Sequence, residues 1–127
     1  MSLTLDDNSA NFQIRAFKPG TIQVRHQAAD QIYTHSIIIT PDILIADWPP
    51  QTIKELTAAH LQKISELKPT ILLIGTGATL VFPELSIYGH LINQGIGVEI
   101  MDTSAACRTY NALTAENRIV AAALIIS

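Results

Sequence analysis

The sequence predicts an α/β fold. The expectation is a compact three-layer domain whose central mixed, mostly parallel sheet is flanked by helices and by an N-terminal antiparallel β-hairpin layer. Three observations carry it. From residue 43 onward, apolar runs at 43–46, 71–74, 98–101 and 120–126 alternate with stretches of helical periodicity. Continuous apolar runs suit strands covered on both faces, and strands separated by helices pair in parallel through right-handed crossovers. Before residue 41 the apolar spacing is close to two instead, as in half-buried antiparallel strands.

In order, Phe12 to Phe17 alternates loosely and Pro19-Gly20 is a turn. Ile22, Val24 and His26 alternate with Gln23 and Arg25 as a first hairpin strand. Residues 33–40 read as its partner, stopped by Pro41. Residues 43–46 form the first buried strand, ended by Asp47-Trp48-Pro49-Pro50. Thr52 with Glu55 three later is a capping box, and Ile53, Leu56, His60, Ile64 and Leu67 share one helical face before Pro69. After the strand at 71–74, Pro83-Glu84 opens a helix. Its apolar face is Leu85, Tyr88, Leu91 and Ile92, and Gly95 suits its C-terminal end. The strand at 98–101 leads into a helix over about 103–116, with Ala106, Tyr110 and Leu113 inward. Asn117 suits a left-handed cap, and residues 120–126 make the final strand.

Composition narrows the class. A chain of 127 residues, 48% hydrophobic, has enough material for one core. Residues 1–10 are expected to be a flexible N-terminus, and 11–127 a single α/β domain. Only 8 Lys and Arg, scattered along a chain of net charge −3, leave no basic stripe for nucleic acid. One cysteine excludes an intrachain disulfide and fits a reducing compartment. The first residues lack a basic and apolar leader, and no apolar run is long enough to span a bilayer. The expectation is a soluble, cytoplasmic bacterial protein.

The chemistry-bearing residues gather at the predicted carboxyl ends of the parallel strands, where open α/β sheets form crevices. Gly75-Thr76-Gly77 follows a strand, but the third glycine of a dinucleotide fingerprint is replaced by Leu80, and no Gly-Lys-Ser/Thr follows. A tight strand-ending turn is the plainer reading. Asp102-Thr103-Ser104 starts a helix and reads as capping, or as an anion site completed by Arg108. Cys107 sits in the first turns of that helix beside Arg108, both able to lower a thiol pKa. Its neighbours Ala105 and Ala106 favour packing instead. Arg108 is expected to pair with Asp102, Glu99 or Asp47. Asp47 and Trp48 fall at the same edge, with Trp48 as core or as a cleft wall. His26, His35, His60 and His90 show no metal-ligand spacing, so neither a metal nor a cofactor is implied.

Several motifs stand together in order: Tyr33-Thr34-His35-Ser36, Trp48-Pro49, Leu73-Ile74-Gly75-Thr76-Gly77, the stretch from Gly95 to Thr103, and Ala105-Ala106-Cys107-Arg108-Thr109-Tyr110-Asn111. The ending from Arg118 to Leu124 fits as well. On these the chain resembles a domain-of-unknown-function family. Its mitochondrial member is an assembly factor for respiratory complex I, and another animal member is linked to adipogenesis. Members typically carry glycine where this chain has Asn117. The resemblance implies a three-layer fold and no established enzyme activity.

Two functions are expected. One is a protein-interaction module that helps assemble a membrane-associated complex such as the respiratory NADH dehydrogenase. The other is a small-molecule or anion site, sensor or enzyme, at the crevice of Asp47, Trp48, Gly75, Thr76, Gly77, Asp102, Thr103, Ser104, Cys107 and Arg108. The sequence names no catalytic residue and leaves the oligomeric state open.

Overall fold

A computed structural model of the chain describes residues 10–127. The flexible terminus expected at 1–10 therefore lies, but for Ala10, outside the described residues. Among the described residues, eight strands form two sheets. Strands β1 (Phe12–Lys18), β2 (Thr21–His26) and β3 (Ala29–Tyr33) make an antiparallel meander. Strands β4 (Ile37–Ile39), β5 (Leu44–Ile45), β6 (Ile71–Gly75), β7 (Gly97–Met101) and β8 (Val120–Leu124) form a mixed sheet of order β5-β4-β8-β6-β7. The segment β8-β6-β7 is parallel, and β4 pairs antiparallel with both β5 and β8.

The strand pleat divides the core. Ile37, Ile39, Leu73, Val120, Ala122 and Leu124 face helix α3 (Thr103–Ala115) and the meander's inner residues Ile14, Ile22 and Val24. Their neighbours Ile38, Leu72, Ile74, Ala121 and Ala123 face the other way. There they meet Trp48, helix α1 (Gln62–Leu67) and helix α2 (Leu85–Asn93). Each one-residue step sends a side chain to the opposite layer, which is why these runs are apolar without alternation. From β6 the chain crosses over α2 to β7, then returns over α3 to β8 on the far side of β6. Two right-handed crossovers in opposite directions put the two helices on opposite faces.

The structure departs from the sequence reading in four places. Residues 33–40 do not form one strand: β3 ends at Tyr33, and β4 joins the other sheet. An all-apolar triplet needs cover on both faces, which the outer meander lacks. The run at 43–46 contributes only Leu44 and Ile45, as an antiparallel edge strand rather than a parallel one. Thr40 creates that hairpin, its Oγ1 accepting the Ile43 N–H at 2.9 Å. The helix expected from Thr52 is broken into 3-10 turns at Ile53–Glu55 and Ala58–Leu61 before α1. Thr52 makes no side-chain cap there. The reciprocal contact forms five residues later, where the Thr57 N–H donates to His60 Nδ1 at 3.0 Å. Finally, α2 turns Tyr88 and Leu91 inward as expected, but Ile87 joins them while Leu85 and Ile92 lie outward, 63% and 46% exposed.

Candidate functional site

The carboxyl ends of β6, β7 and β8 do meet, and Thr103 joins them. This side chain is fully buried. Its Oγ1 accepts the Gly77 N–H at 2.8 Å and donates to the Ile125 carbonyl at 2.5 Å. Its own N–H donates to the Gly77 carbonyl at 2.9 Å, and the Ile125 N–H donates to the Gly75 carbonyl at 3.0 Å. Gly77 reaches this arrangement with φ near +102°, a conformation in which side chains are strained. Gly75 is needed for space: a Cβ there would stand 2.9 Å from Thr103 Oγ1 and 3.1 Å from Thr103 Cα. Residues 125–127 run across these strand ends, and the Ser127 Oγ donates to the Gln51 carbonyl at 2.5 Å.

Thr76 shapes the loop after β6. Its N–H donates to the Met101 carbonyl at 2.9 Å, and its Oγ1 donates to the Thr79 carbonyl at 2.7 Å. The same oxygen accepts the Val81 N–H at 3.2 Å. A buried threonine thus folds the loop back on itself and pushes Leu80, Val81 and Phe82 outward, 50%, 41% and 68% exposed.

Helix α3 supplies the remaining candidates. Asp102 is its N-cap, Oδ1 accepting the Ala105 N–H at 2.9 Å, so the first-turn donor is occupied within the chain. Cys107 is buried, and burial pushes its thiol up to about 12, outweighing the lowering influence of Arg108. The expected pairing of Arg108 with a carboxylate does not form. The guanidinium is exposed and donates to Ser104 Oγ at 2.9 Å, one helical turn back, where solvent replaces a counter-ion. Asp47 and Trp48 diverge. Asp47 is exposed with φ near +56°, and its carboxylate lies 3.9 Å from His35 Nδ1. Trp48 is core, its indole N–H donating to the His60 carbonyl at 3.0 Å. Among the described residues no group of His, Cys, Asp and Glu is placed to hold a metal. A depression of about 360 Å³ touching Asp42, Leu67, Thr114 and Arg118 lies at the opposite, amino ends of β6 and β8.

A family profile described as "Protein of unknown function (DUF498/DUF598)" matches residues 14–125. The chain belongs to that family. It is 34% identical over 94 residues to the 13 kDa major membrane protein of Francisella tularensis subsp. holarctica, covering 73% of this chain and 76% of that one. It is 29% identical over 127 residues to NADH dehydrogenase (ubiquinone) 1 alpha subcomplex assembly factor 3 of Danio rerio, covering 98% of this chain and 70% of that one. A crystal structure of a Bordetella parapertussis protein superposes with a TM-score of 0.82 at 37% identity, over 93% of this chain and 98% of that one. The resemblance read from the motifs is therefore correct, and so is the α/β fold it implied.

Within this DUF498/DUF598 chain, two features were missed at the level of sequence. The Tyr-Asn pair of the Cys-Arg-Thr-Tyr-Asn motif fastens α3 to β1. Tyr110 Oη donates to the Phe12 carbonyl at 2.8 Å. Asn111 Nδ2 donates to the Ile14 carbonyl at 2.6 Å, and Asn111 Oδ1 accepts the Ile14 N–H at 3.0 Å. The amide thus acts as a strand partner where the β1–β2 register shifts between Ile14 and Ala16. The other is the exposed apolar stretch at 80–85. Its signal was present, since Leu80, Val81 and Phe82 are apolar yet belong to no periodic element.

Proposed function

We propose that this protein is an interaction module that holds other proteins during assembly of a membrane-associated complex, its docking surface being Leu80, Val81, Phe82 and Leu85. The observation that carries this is their exposure. Four large apolar side chains lie within six residues, 41–68% exposed, on a loop fixed by Thr76. Contiguous exposed apolar surface on a soluble domain marks a binding site, and aromatic anchors such as Phe82 dominate such contacts.

The family relations support the same reading. Relatives are named as assembly factors of NADH dehydrogenase, and one is named a membrane protein. No helix among the described residues is long and apolar enough to cross a membrane. Attachment through a partner, from the cytoplasmic side, accommodates both facts. The groups once candidates for a crevice serve this surface structurally. Thr103, Gly75 and Gly77 lock the strand ends, and Thr76 displays the loop.

Affinity capture from the native host tests the proposal. Wild-type protein should retain membrane-biogenesis or respiratory proteins that the Phe82→Asp, Leu85→Asp variant loses, with the melting temperature unchanged. Identical partner sets for wild type and variant, or no such partner, would refute it.

A further inference from the structure

The meander meets α3 across a cavity of about 140 Å³, apart from the docking surface at 80–85. Its lining includes Arg15, Phe17, Ser104, Cys107, Arg108 and Asn111, and no Asp or Glu. A cationic cavity thus stands in a chain of net charge −3. Arg25 pairs with Asp30, and Arg118 with Glu116. Arg15 and Arg108, the chain's remaining arginines, make no ion pair among the described residues, and both line this cavity. Asp30, which feels the charge of Arg15, is already held by Arg25 at 2.6 Å and by Gln23 at 2.7 Å.

The backbone delivers Arg15 to this place. Ile14 stands opposite Val24 and Ala16 opposite Gln23, so Arg15 is the extra residue of a bulge. Bulges re-aim side chains beside sites. The Asn111 amide fixes this one by bonding both the N–H and the carbonyl of Ile14. Ser104, Cys107, Arg108 and Asn111 fall at helical spacing on one face of α3. What they leave over is donors. Arg108 spends one N–H on Ser104 Oγ at 2.9 Å, and a guanidinium has others. Ser104 accepts that bond, which leaves its O–H to donate. The Cys107 thiol is 5% exposed and makes no hydrogen bond among the described residues.

Donors with no acid among them suit an anion. A carboxylate would match only one of the two arginines. A phosphate group carries about two negative charges at neutral pH, and its oxygens fit planar guanidinium forks. The volume is below the roughly 300 Å³ at which pockets for drug-sized ligands begin, so a phosphate group fits where a nucleotide does not. We propose that the cavity between β1 and α3 binds a phosphate group through Arg15, Arg108 and Ser104, with Phe17 as an apolar wall beside it.

Isothermal titration calorimetry of the full chain tests this with inorganic phosphate and phenyl phosphate. At least one should bind saturably, unless the phosphate is a lipid's, and Arg15→Gln and Arg108→Gln should each weaken binding by about tenfold or more. Lys54→Gln removes an exposed cation elsewhere and should leave the affinity unchanged. Sedimentation with phosphatidylcholine vesicles containing phosphatidic acid separates the sources. Vesicle binding that Arg15→Gln abolishes assigns a lipid headgroup. Binding of the soluble probes without the vesicles assigns a small phosphomonoester. Either result upholds the site. Both arginines are exposed, so the variants should melt with the wild type. Amide shifts of the unaltered chain on addition of the bound probe give a reading that needs no variant, and they should centre on Arg15, Ser104, Cys107 and Arg108. No binding of any probe, binding that survives both arginine changes, an equal loss in Lys54→Gln, or shifts centred elsewhere overturns the proposal.

Discussion

Replacing Gly75 by alanine should destabilise the protein by about 2–6 kcal/mol, as two effects combine. The new Cβ would lie 2.9 Å from Thr103 Oγ1, 3.0 Å from Leu124 Cδ2 and 3.1 Å from Thr103 Cα. Backbone cannot yield as a flexible side chain does, so the start of α3 must shift, an overpacking cost of about 1–3 kcal/mol. The shift also carries Thr103 Oγ1 away from the buried Gly77 N–H and Ile125 carbonyl. Leaving such groups unpaired adds about 1–3 kcal/mol. Valine should cost more, although β-branched residues favour strands, because the penalty is steric rather than conformational. Urea denaturation is the assay, followed by fluorescence of Trp48, the chain's single tryptophan. A double-mutant cycle with Thr103→Ala sharpens it. Both changes break the same contacts, so their combined cost should fall short of the sum by at least about 0.5 kcal/mol. A Gly75→Ala loss below about 0.5 kcal/mol, the size of an ordinary surface change, or strict additivity in the cycle, would show that the close approach is not what requires glycine.

Asn111→Leu should cost about 2–4 kcal/mol by urea denaturation, since it leaves the Ile14 N–H and carbonyl without their partner; a loss confined to tenths would mean that water replaces the amide. Cys107 should resist iodoacetamide at neutral pH in the folded state, and Cys107→Ser should lose about 1–3 kcal/mol through a poorly satisfied buried hydroxyl; rapid alkylation would refute the packing role. The same thiol makes stability fall with alkali. Above its ordinary value of 9 the unfolded chain releases the proton while the folded chain holds it to about 12, so stability drops by at most about 1.4 kcal/mol per pH unit in that window. Burial raises Tyr110 as well, with the same sign. Cys107→Ala should flatten the decline between pH 9 and 10.5, and an unchanged slope would contradict this. Arg108→Leu should change stability by no more than about 0.5 kcal/mol, as expected of an exposed side chain bonded only to Ser104; a drop of several kcal/mol in thermal melts would reveal a hidden ionic partner.

The sequence by itself determined what local chemistry determines. Asp102 caps α3 because its short carboxylate reaches the Ala105 N–H wherever the helix packs. Asn117 takes φ near +62° because asparagine tolerates that region. The runs within β6 and β8 were legible as strands because side chains alternating between two buried layers must all be apolar. The inner face of α3, Ala106, Tyr110 and Leu113, was legible as well, but tertiary structure decided the facing of other apolar groups. The α2 stripe gave Tyr88 and Leu91 correctly, but Ile87 was added on the sheet side, and Leu85 and Ile92 left outside, by the direction of the crossover. Tertiary structure likewise assigned the triplet Ile37 to Ile39 to the second sheet, sent Trp48 into the core and left Asp47 in solvent. The strand ends show the limit most clearly. Glycine at 75 and threonine at 103 look like the parts of a crevice, yet residues 125–127 run across them. That bond joins positions far apart in sequence, and no local spacing encodes a contact created only when β8 docks beside β6.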